Sequence, residues 1–304
     1  MPDLALAKPP ADIYYEEADE AGPSGRSIRR FLAQDRVWLD VQSIPGGLRF
    51  EFPDLASFTF DRKARKYLGY SMPGTASHTM RHLLLDQVVP LSLVAQGRMI
   101  LHASGVRLVT AHGSSATIFL GKSGAGKSSV AAGSTLAGAD VLADDFVLVN
   151  AQSRSATVTP AGVGLRVHAD VARLLDGVSA SLSVAQYTEK RRLLLAPESA
   201  GRRSPVRLGA IVGLAPRSSP GTPVQARRLS PADALMLVLE HAYRIDVRKA
   251  RAHRGDLDRY ARLVEAVPAF EMSLPADVPG LVRSCEQVLS LLRPHLSSAP
   301  VAPS

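Results

Sequence analysis

The sequence has only one cysteine, Cys285, in 304 residues. An internal disulfide is therefore excluded, and a single thiol without a partner motif favours a reducing compartment, so we expect a cytoplasmic protein. Long hydrophobic runs are also missing. The apolar run VVPLSLVA is interrupted by Pro90 and falls far short of the roughly 18 residues that a membrane helix needs. Neither a membrane span nor a signal peptide is predicted.

Aromatic residues are scarce, at 5% of the chain, although the formal net charge is +8. Proteins that bind nucleic acids usually combine a basic face with exposed aromatic side chains, or carry a zinc, helix-turn-helix or RNP motif. The sequence shows none of these patterns, so we expect no nucleic acid partner. The positive charge instead favours an acidic ligand, such as the phosphates of a nucleotide.

Apolar residues make up 46% of the sequence, which is enough for one large domain or two modest ones. Residues 1–26 are rich in proline, glycine and acids and are predicted to be a flexible segment. Residues 27–97 are predicted to be strand-rich and mainly antiparallel, because RVWLDVQSI, LRFEF and SFTF alternate apolar and polar positions. A helix with a break around Pro90 is predicted at the end of this region. Residues 98–296 are predicted to form the main α/β domain, and residues 297–304 a flexible tail.

The middle of the chain predicts a strand, a glycine-rich loop, a helix and a strand in succession. Met99–Thr110 and Ala116–Leu120 predict a hairpin whose second strand leads into the loop. SSVAAGSTLAGA predicts a helix that ends near Gly138, and DVLADDFVLVN predicts one further strand. Later, GLRVH, LGAIVGLA and RRLS predict short strands, while SPADALMLVLEHAYRI, LDRYARLVEAV and LVRSCEQVLSLL predict helices.

The loop matches the nucleotide-binding pattern G-x-x-x-x-G-K-[ST]. Glycines allow successive backbone N–H groups to face a phosphate at the positive end of the following helix, and the lysine would reach the β and γ phosphates. A flexible surface loop is the alternative, which the flanking strand and helix disfavour. The predicted ATP-binding residues are Gly121, Lys122, Ser123, Gly124, Ala125, Gly126, Lys127, Ser128 and Ser129.

Two consecutive acids, Asp144 and Asp145, follow the apolar residues of the next predicted strand. Mg²⁺ bound to ATP needs oxygen ligands, which the hydroxyl of Ser128 and one of these carboxylates would provide, while the other carboxylate would accept a proton from an incoming hydroxyl. An ordinary turn at the end of a strand is the alternative. His102 lies on the strand paired with the one that enters the loop, and is either close to the phosphates or a packing residue.

These motifs resemble the C-terminal kinase domain of HPr kinase/phosphorylase and its relatives, which are bacterial P-loop proteins that phosphorylate serine. GKSGAGKSS is similar to the family's G-x-S-G-x-G-K-S, LADDFVLV to its L-x-A-D-D strand, and LHASGV to its histidine-bearing strand, over about residues 98–150. The resemblance implies an HPr-kinase-type fold with ATP and Mg²⁺ as cofactors. It also implies that Asp145 accepts the proton, that Asp144 and Ser128 support the metal, that Lys127 is catalytic and that His102 belongs to the active site.

Two departures from the family pattern restrict what is implied. Lys122 and Ser129 stand where the family commonly has acids, and TPAGVGLRV has no clear counterpart of the family's acidic residue followed by R-G-x-G, so neither phosphorolysis nor HPr as the acceptor is implied.

The N-terminal region resembles instead the HPr-kinase-related proteins encoded with peptide-modification genes, including lasso-peptide kinases. In such proteins a lysine followed by arginine comes after the strand region, which implies that Lys190 in TEKRR contacts phosphate or substrate, with a solvated turn as the alternative.

His241 and Arg244 are three residues apart on one face of a predicted helix. They either line the site or form a surface pair.

The sequence therefore predicts a kinase that transfers the γ-phosphoryl group of ATP to a hydroxyl, expected to be a serine of a peptide or small protein. A sugar or nucleoside kinase would use the same nucleotide-binding residues. A binding or regulatory protein in which ATP only sets the conformation is a third possibility, although such a protein has little use for a base beside the γ-phosphate. The acceptor and the oligomeric state, including a homo-oligomer, stay open.

Overall fold

The computed structural model describes residues 14–110, 113–152, 154–161, 164–175, 179–195, 204–245 and 250–296. The chain divides into two compact units. The first contains the residues up to Gly97 and two short segments that begin at Ser183 and at Tyr243, and the second contains the remainder. Both short segments lie within residues 98–296, which the sequence assigns to the main domain.

The first unit is built on a six-stranded sheet. Its strands are β1 (Tyr14–Glu17), β2 (Arg26–Ala33), β3 (Arg36–Ile44), β4 (Gly47–Phe52), β5 (Ala56–Asp61) and β6 (Lys66–Ser71). Their order in the sheet is β1-β6-β5-β4-β3-β2, and every pair is antiparallel except β1 and β6. The alternating patterns predicted β3, β4 and β5.

Strand β1 lies inside the segment 1–26 that the sequence predicts to be flexible. It pairs in parallel with β6, and Lys66 Nζ lies 2.6 Å from a carboxylate oxygen of Glu16. Because this strand depends on a partner fifty residues away, its own composition gives no indication of it.

A continuous helical segment packs on the phenylalanine-rich core of this sheet. It consists of α1 (Ser77–Leu83), a π-helical turn (Leu84–Val88) and α2 (Val89–Ala95). The predicted helix is therefore present, but Pro90 does not end it, because the proline lies just after the π-helical turn, where the regular i→i−4 hydrogen bonds are already interrupted. His82 Nδ1 and Asp86 Oδ2 lie 2.6 Å apart across the π turn, and both side chains are buried.

The later strands form two more sheets. They are β7 (Met99–Leu101), β8 (Ala103–Thr110), β9 (Gly113–Leu120), β10 (Asp140–Ala143), β11 (Val147–Ala151), β12 (Ala156–Thr159), β13 (Leu165–Val167), β14 (Ser179–Ala185), β15 (Thr188–Leu195), β16 (Val206–Leu214), β17 (Gln225–Arg228) and β18 (Ala269–Ser273). The helices are α3 (Lys127–Leu136), α4 (Ala169–Arg173), α5 (Pro231–Glu240), α6 (Ala250–Ala266) and α7 (Leu281–Leu296).

A mixed nine-stranded sheet forms the core of the second unit, so the chain is mixed α/β, as predicted. Its order is β10-β8-β9-β16-β12-β11-β7, with β18 beside the end of β16 and β17 beside β18. Strand β16 pairs in parallel with both β9 and β18, so these three strands point the same way. Their carboxyl ends meet at one edge of the sheet, the usual position of a ligand in such sheets. Strands β13, β15 and β14 form a separate small sheet.

The predicted hairpin is confirmed as β8 and β9, and the predicted helix after the loop as α3. Two single-strand predictions were wrong. The run 99–110 is interrupted at His102, and DVLADDFVLVN is divided into β10 and β11. The two halves join different neighbours, since β10 pairs with β8, whereas β11 pairs with β7 and β12. The chain turns at Asp145, whose φ of +67° is left-handed.

Small residues allow α3 to lie close to α7. A Cβ atom added at Gly133 would lie 2.7 Å from Cys285 Sγ and 3.0 Å from Leu281 Cγ, so only glycine fits there without movement of its neighbours. Val130 and Phe119 belong to the same buried core, which fixes the helix against the strand that precedes the loop. Across the described parts of the chain, no helix combines the length and the hydropathy that crossing a bilayer requires.

Candidate active site

The glycine-rich loop connects the carboxyl end of β9 to the amino end of α3. Gly124 and Gly126 have φ values of +83° and +93°, which side chains rarely permit. Gly126 is the N-cap residue of α3, and no side chain in the described part of the chain caps this end of the helix. Its first N–H groups and the positive end of the helix dipole are therefore available to an anion. Lys122, Ser123 and Gly124 are exposed, and the rest of the loop is partly or fully buried.

The ammonium group of Lys127 folds back over this loop. The side chain is buried, and Nζ donates to the carbonyl oxygens of Gly121 at 2.7 Å and Lys122 at 3.2 Å. Burial lowers the pKa of Lys127, Asp144 acts in the opposite direction, and the charges of Lys190 and Arg166 add to the lowering. Both of these acceptors are neutral carbonyl groups, which a phosphate oxygen could replace.

Asp144 lies at the centre of a buried hydrogen-bond network and is 1% exposed. Its Oδ1 accepts hydrogen bonds from Ser128 Oγ, at 2.9 Å, and from Ser104 Oγ, while Oδ2 accepts from the backbone N–H of Arg166 at 2.7 Å. Burial raises the pKa of Asp144, and the three hydrogen bonds together with the charge of Arg166 oppose that rise. Residues from β8, α3 and β13 therefore meet at one carboxylate that follows β10.

Asp145 is also buried and forms an ion pair with the guanidinium of Arg166. One residue thus contacts both aspartates, Asp144 through its backbone and Asp145 through its side chain. Sequence reasoning missed Arg166, as well as Ser104. GLRVH predicted the strand that carries Arg166, but nothing in the sequence distinguishes this arginine from the 28 others.

His102 lies between β7 and β8, and its backbone N–H donates to the carbonyl oxygen of His241 at 2.7 Å. The pKa of His102 is lowered to about 4, first by burial and then by the positive charges of Lys127, His241, Arg166 and Lys190. The imidazole is therefore neutral at pH 7. It lies in the electrostatic field of the same cations that surround the loop and Asp144.

Lys190 belongs to this group of charges. Its pKa is lowered by burial and then by Arg166, while Asp144 raises it. Lys190 lies in β15 and is partly buried, so it does not belong to a solvated turn.

His241 and Arg244 do not lie on one helical face, so that prediction was wrong. Helix α5 ends at Glu240, His241 is its C-cap residue, and Ala242 forms a β-bridge with Leu101. His241 is buried, and its pKa is lowered by burial and by Lys127 and Lys122, with Glu240 opposing. Arg244 is exposed and belongs to the other compact unit. The bridge to β7 ends the helix earlier than its apolar pattern predicts.

The residues around the loop fit Mg²⁺ bound to ATP. The hydroxyl of Ser128 and the carboxylate of Asp144 are hard oxygen donors 2.9 Å apart, and Mg²⁺ commonly takes one or two protein ligands and the rest from phosphates and water. The described residues contain no cluster of three or more His, Cys, Asp or Glu side chains that could hold a metal ion.

No family model matches the sequence, and no curated protein matches it. Among solved structures, the chain is similar to the HPr(Ser) kinase/phosphatase from Coxiella burnetii, at 12% sequence identity and a TM-score of 0.30. That match covers 64% of this chain and 89% of the other.

Proposed function

We propose that this chain is a cytoplasmic P-loop kinase that transfers the γ-phosphoryl group of ATP to the serine hydroxyl of a peptide or small protein. The observation that supports kinase chemistry most directly is the 2.9 Å hydrogen bond between Ser128 and Asp144. It joins the hydroxyl that follows the loop lysine to a buried carboxylate that follows β10, and a hydroxyl and a carboxylate of this kind hold Mg²⁺ in P-loop proteins. The serine acceptor is supported by the resemblance of the sequence motifs alone.

Positioning and charge neutralisation account for most of the catalysis in this proposal. The loop N–H groups would bind the β and γ phosphates, and Lys127 would exchange the carbonyls of Gly121 and Lys122 for phosphate oxygens. Ser128 and Asp144 would hold Mg²⁺, which neutralises charge on the phosphates.

Asp145 is proposed as the proton acceptor. Its ion pair with the Arg166 guanidinium would orient the carboxylate, so that it can take the proton of the acceptor hydroxyl as the oxygen attacks the γ-phosphorus. His102, with its pKa of about 4, would contribute a hydrogen bond but no charge at neutral pH.

The test is incubation of the purified protein with labelled Mg·ATP and three kinds of acceptor: a panel of serine peptides, small hydroxyl compounds, and water alone. Transfer to peptides is expected. Transfer only to a sugar or nucleoside would identify a small-molecule kinase, and binding of ATP without transfer to any acceptor would favour a binding protein. If calorimetry detects no binding of Mg·ATP to the wild type, the kinase proposal is wrong.

Two substitutions, Lys127→Ala and Asp145→Asn, are expected to abolish transfer without unfolding the protein. Asp54→Asn is a matched control for the second, because Asp54 is exposed and also has a left-handed φ, of +62°. Lys63→Ala, at an exposed turn, is the control for the first. Unimpaired product formation by Asp145→Asn would remove the assignment of the base.

A further inference from the structure

Arg217 follows β16 at the sheet edge where the glycine-rich loop begins. A Cβ atom added at Gly126 would overlap Nη2 of Arg217 and would lie 3.0 Å from its Cζ and 3.4 Å from its Nε. The three nearest atoms thus all belong to one guanidinium group. The guanidinium therefore packs against the Cα of the glycine that caps α3.

The backbone around Arg217 is held in place by hydrogen bonds to β18 and the residues that follow it. Ala215 N donates to Met272 O at 2.9 Å, Ser218 N donates to Leu274 O at 3.0 Å, and Ala276 N donates to Ser218 O at 2.9 Å. These bonds fix both sides of the turn. The side chain consequently projects from a backbone that is hydrogen-bonded on both sides.

The charge of Arg217 is not balanced by a carboxylate of the described residues. The one hydrogen bond that its guanidinium makes with them goes to the carbonyl oxygen of Pro275 and is long, at 3.5 Å. The side chain is partly buried, and burial lowers its pKa. Because a guanidinium withdrawn from water is stabilised by an anion, a position beside the loop suits a negatively charged ligand.

We infer that Arg217 is a further phosphate-binding residue of this site, whose guanidinium donates to non-bridging oxygens of the nucleotide's phosphate chain. The inference rests on the proposed binding of ATP. Phosphates lie at the N–H groups of such loops and of the helix that follows, and Gly126 belongs to both. A group packed on the Cα of Gly126 is therefore closer to the phosphates than to a base at the far end of the nucleotide.

The test compares the affinities of four proteins for Mg·ATP, for inorganic tripolyphosphate at the same Mg²⁺ concentration, and for adenosine, by isothermal titration calorimetry. The proteins are the wild type, Arg217→Ala, Arg217→Lys and Arg228→Ala. Arg228 is the matched control, because it is exposed and pairs with Phe270 near the amino end of β18, away from the carboxyl edge.

We expect Arg217→Ala to weaken Mg·ATP and tripolyphosphate by the same factor, about 10- to 100-fold, as for a lost charged hydrogen bond. Adenosine affinity should not change. Arg217→Lys should lose less, since it keeps the charge but not the planar fork, and Arg228→Ala should match the wild type. Thermal unfolding followed by circular dichroism checks that the variants fold. If Arg217→Ala does not fold, Arg217→Gln, which keeps a stem against Gly126, takes its place with the same expectations.

Two results would overturn this inference while leaving ATP binding intact. Weakened binding of Mg·ATP with unchanged tripolyphosphate would mean that the guanidinium contacts the nucleoside. Unchanged affinity for all three ligands would mean that Arg217 only packs on the loop. If the wild type binds neither Mg·ATP nor tripolyphosphate, the proposed function fails and this inference fails with it.

Discussion

Replacement of Asp144 by asparagine is expected to remove Mg²⁺-dependent ATP binding at almost no cost in stability. Asparagine resembles the protonated carboxyl group, and the pKa of Asp144 is raised, chiefly by burial, even with the nearby cation and hydrogen bonds opposing the rise. The folded protein therefore disfavours the ionised form relative to the unfolded chain. An uncharged group of the same shape should be tolerated.

The hydrogen bonds can be kept after this substitution. The amide oxygen can accept from the backbone N–H of Arg166, and the amide nitrogen can donate to Ser104 and Ser128, because hydroxyl groups can act as donors or acceptors. We therefore expect the free energy of unfolding to change by no more than about 1 kcal/mol. Asp144→Ala, in contrast, leaves a buried N–H without its acceptor and creates a cavity, which together should cost about 2–4 kcal/mol.

Urea unfolding at pH 7, followed by circular dichroism, measures these differences, and calorimetry with ATP in the presence and absence of Mg²⁺ measures the metal dependence. A loss of more than about 3 kcal/mol in Asp144→Asn would refute the reasoning, because it would show that the charge itself supports the fold. Equal Mg²⁺ dependence in Asp144→Asn and the wild type would refute the role of this carboxylate at the metal.

Two further predictions concern stability. Between pH 6.5 and about 4 the unfolded chain protonates His102 more readily than the folded protein does, so acidification through this range should lower the free energy of unfolding by up to about 3 kcal/mol. Urea unfolding at several pH values measures this loss, which should be absent in His102→Asn. The same pH dependence in His102→Asn and the wild type would contradict the prediction. Gly133→Ala should lower the free energy of unfolding by about 1–3 kcal/mol, because the added Cβ would contact Cys285 and Leu281 too closely. Gly255→Ala, in a helix with open space around the glycine, should raise the free energy of unfolding by about 0.5–1 kcal/mol. Equal effects of the two substitutions would refute the packing argument.

The sequence predicts the loop and its flanking elements well because local rules determine them. A continuous apolar run specifies β9, the glycines specify the loop, and the small residues up to Gly138 specify α3. The strand after α3 is different. LADDFVLV is apolar on both sides of its acids, so no local signal marks a break, and the division into β10 and β11 follows from their pairing with different strands.

The partners of the predicted site residues depend on contacts between distant parts of the chain. Ser104 and Arg166 lie 40 and 22 residues from Asp144, on strands that the hydrophobic pattern locates but does not arrange in space. No spacing rule connects an aspartate to an arginine on a separate small sheet, and with 29 arginines composition cannot select one. Arg217 is the same kind of case, because its position depends on β16 running parallel to β9.

The charges of the site favour a polyanion rather than a neutral ligand. The pKa values of Lys127, Lys190 and His102 are all lowered, in each case first by burial and in each case also by neighbouring positive charge. Burial raises the pKa of Asp144, which disfavours the negative charge of that carboxylate. The positive charges at the loop therefore act against one another, and a ligand that brings several negative charges would relieve this repulsion. A triphosphate chain would bring these negative charges, and the Mg²⁺ bound to it would place a cation beside the Asp144 carboxylate. A neutral sugar or peptide alone would provide neither charge.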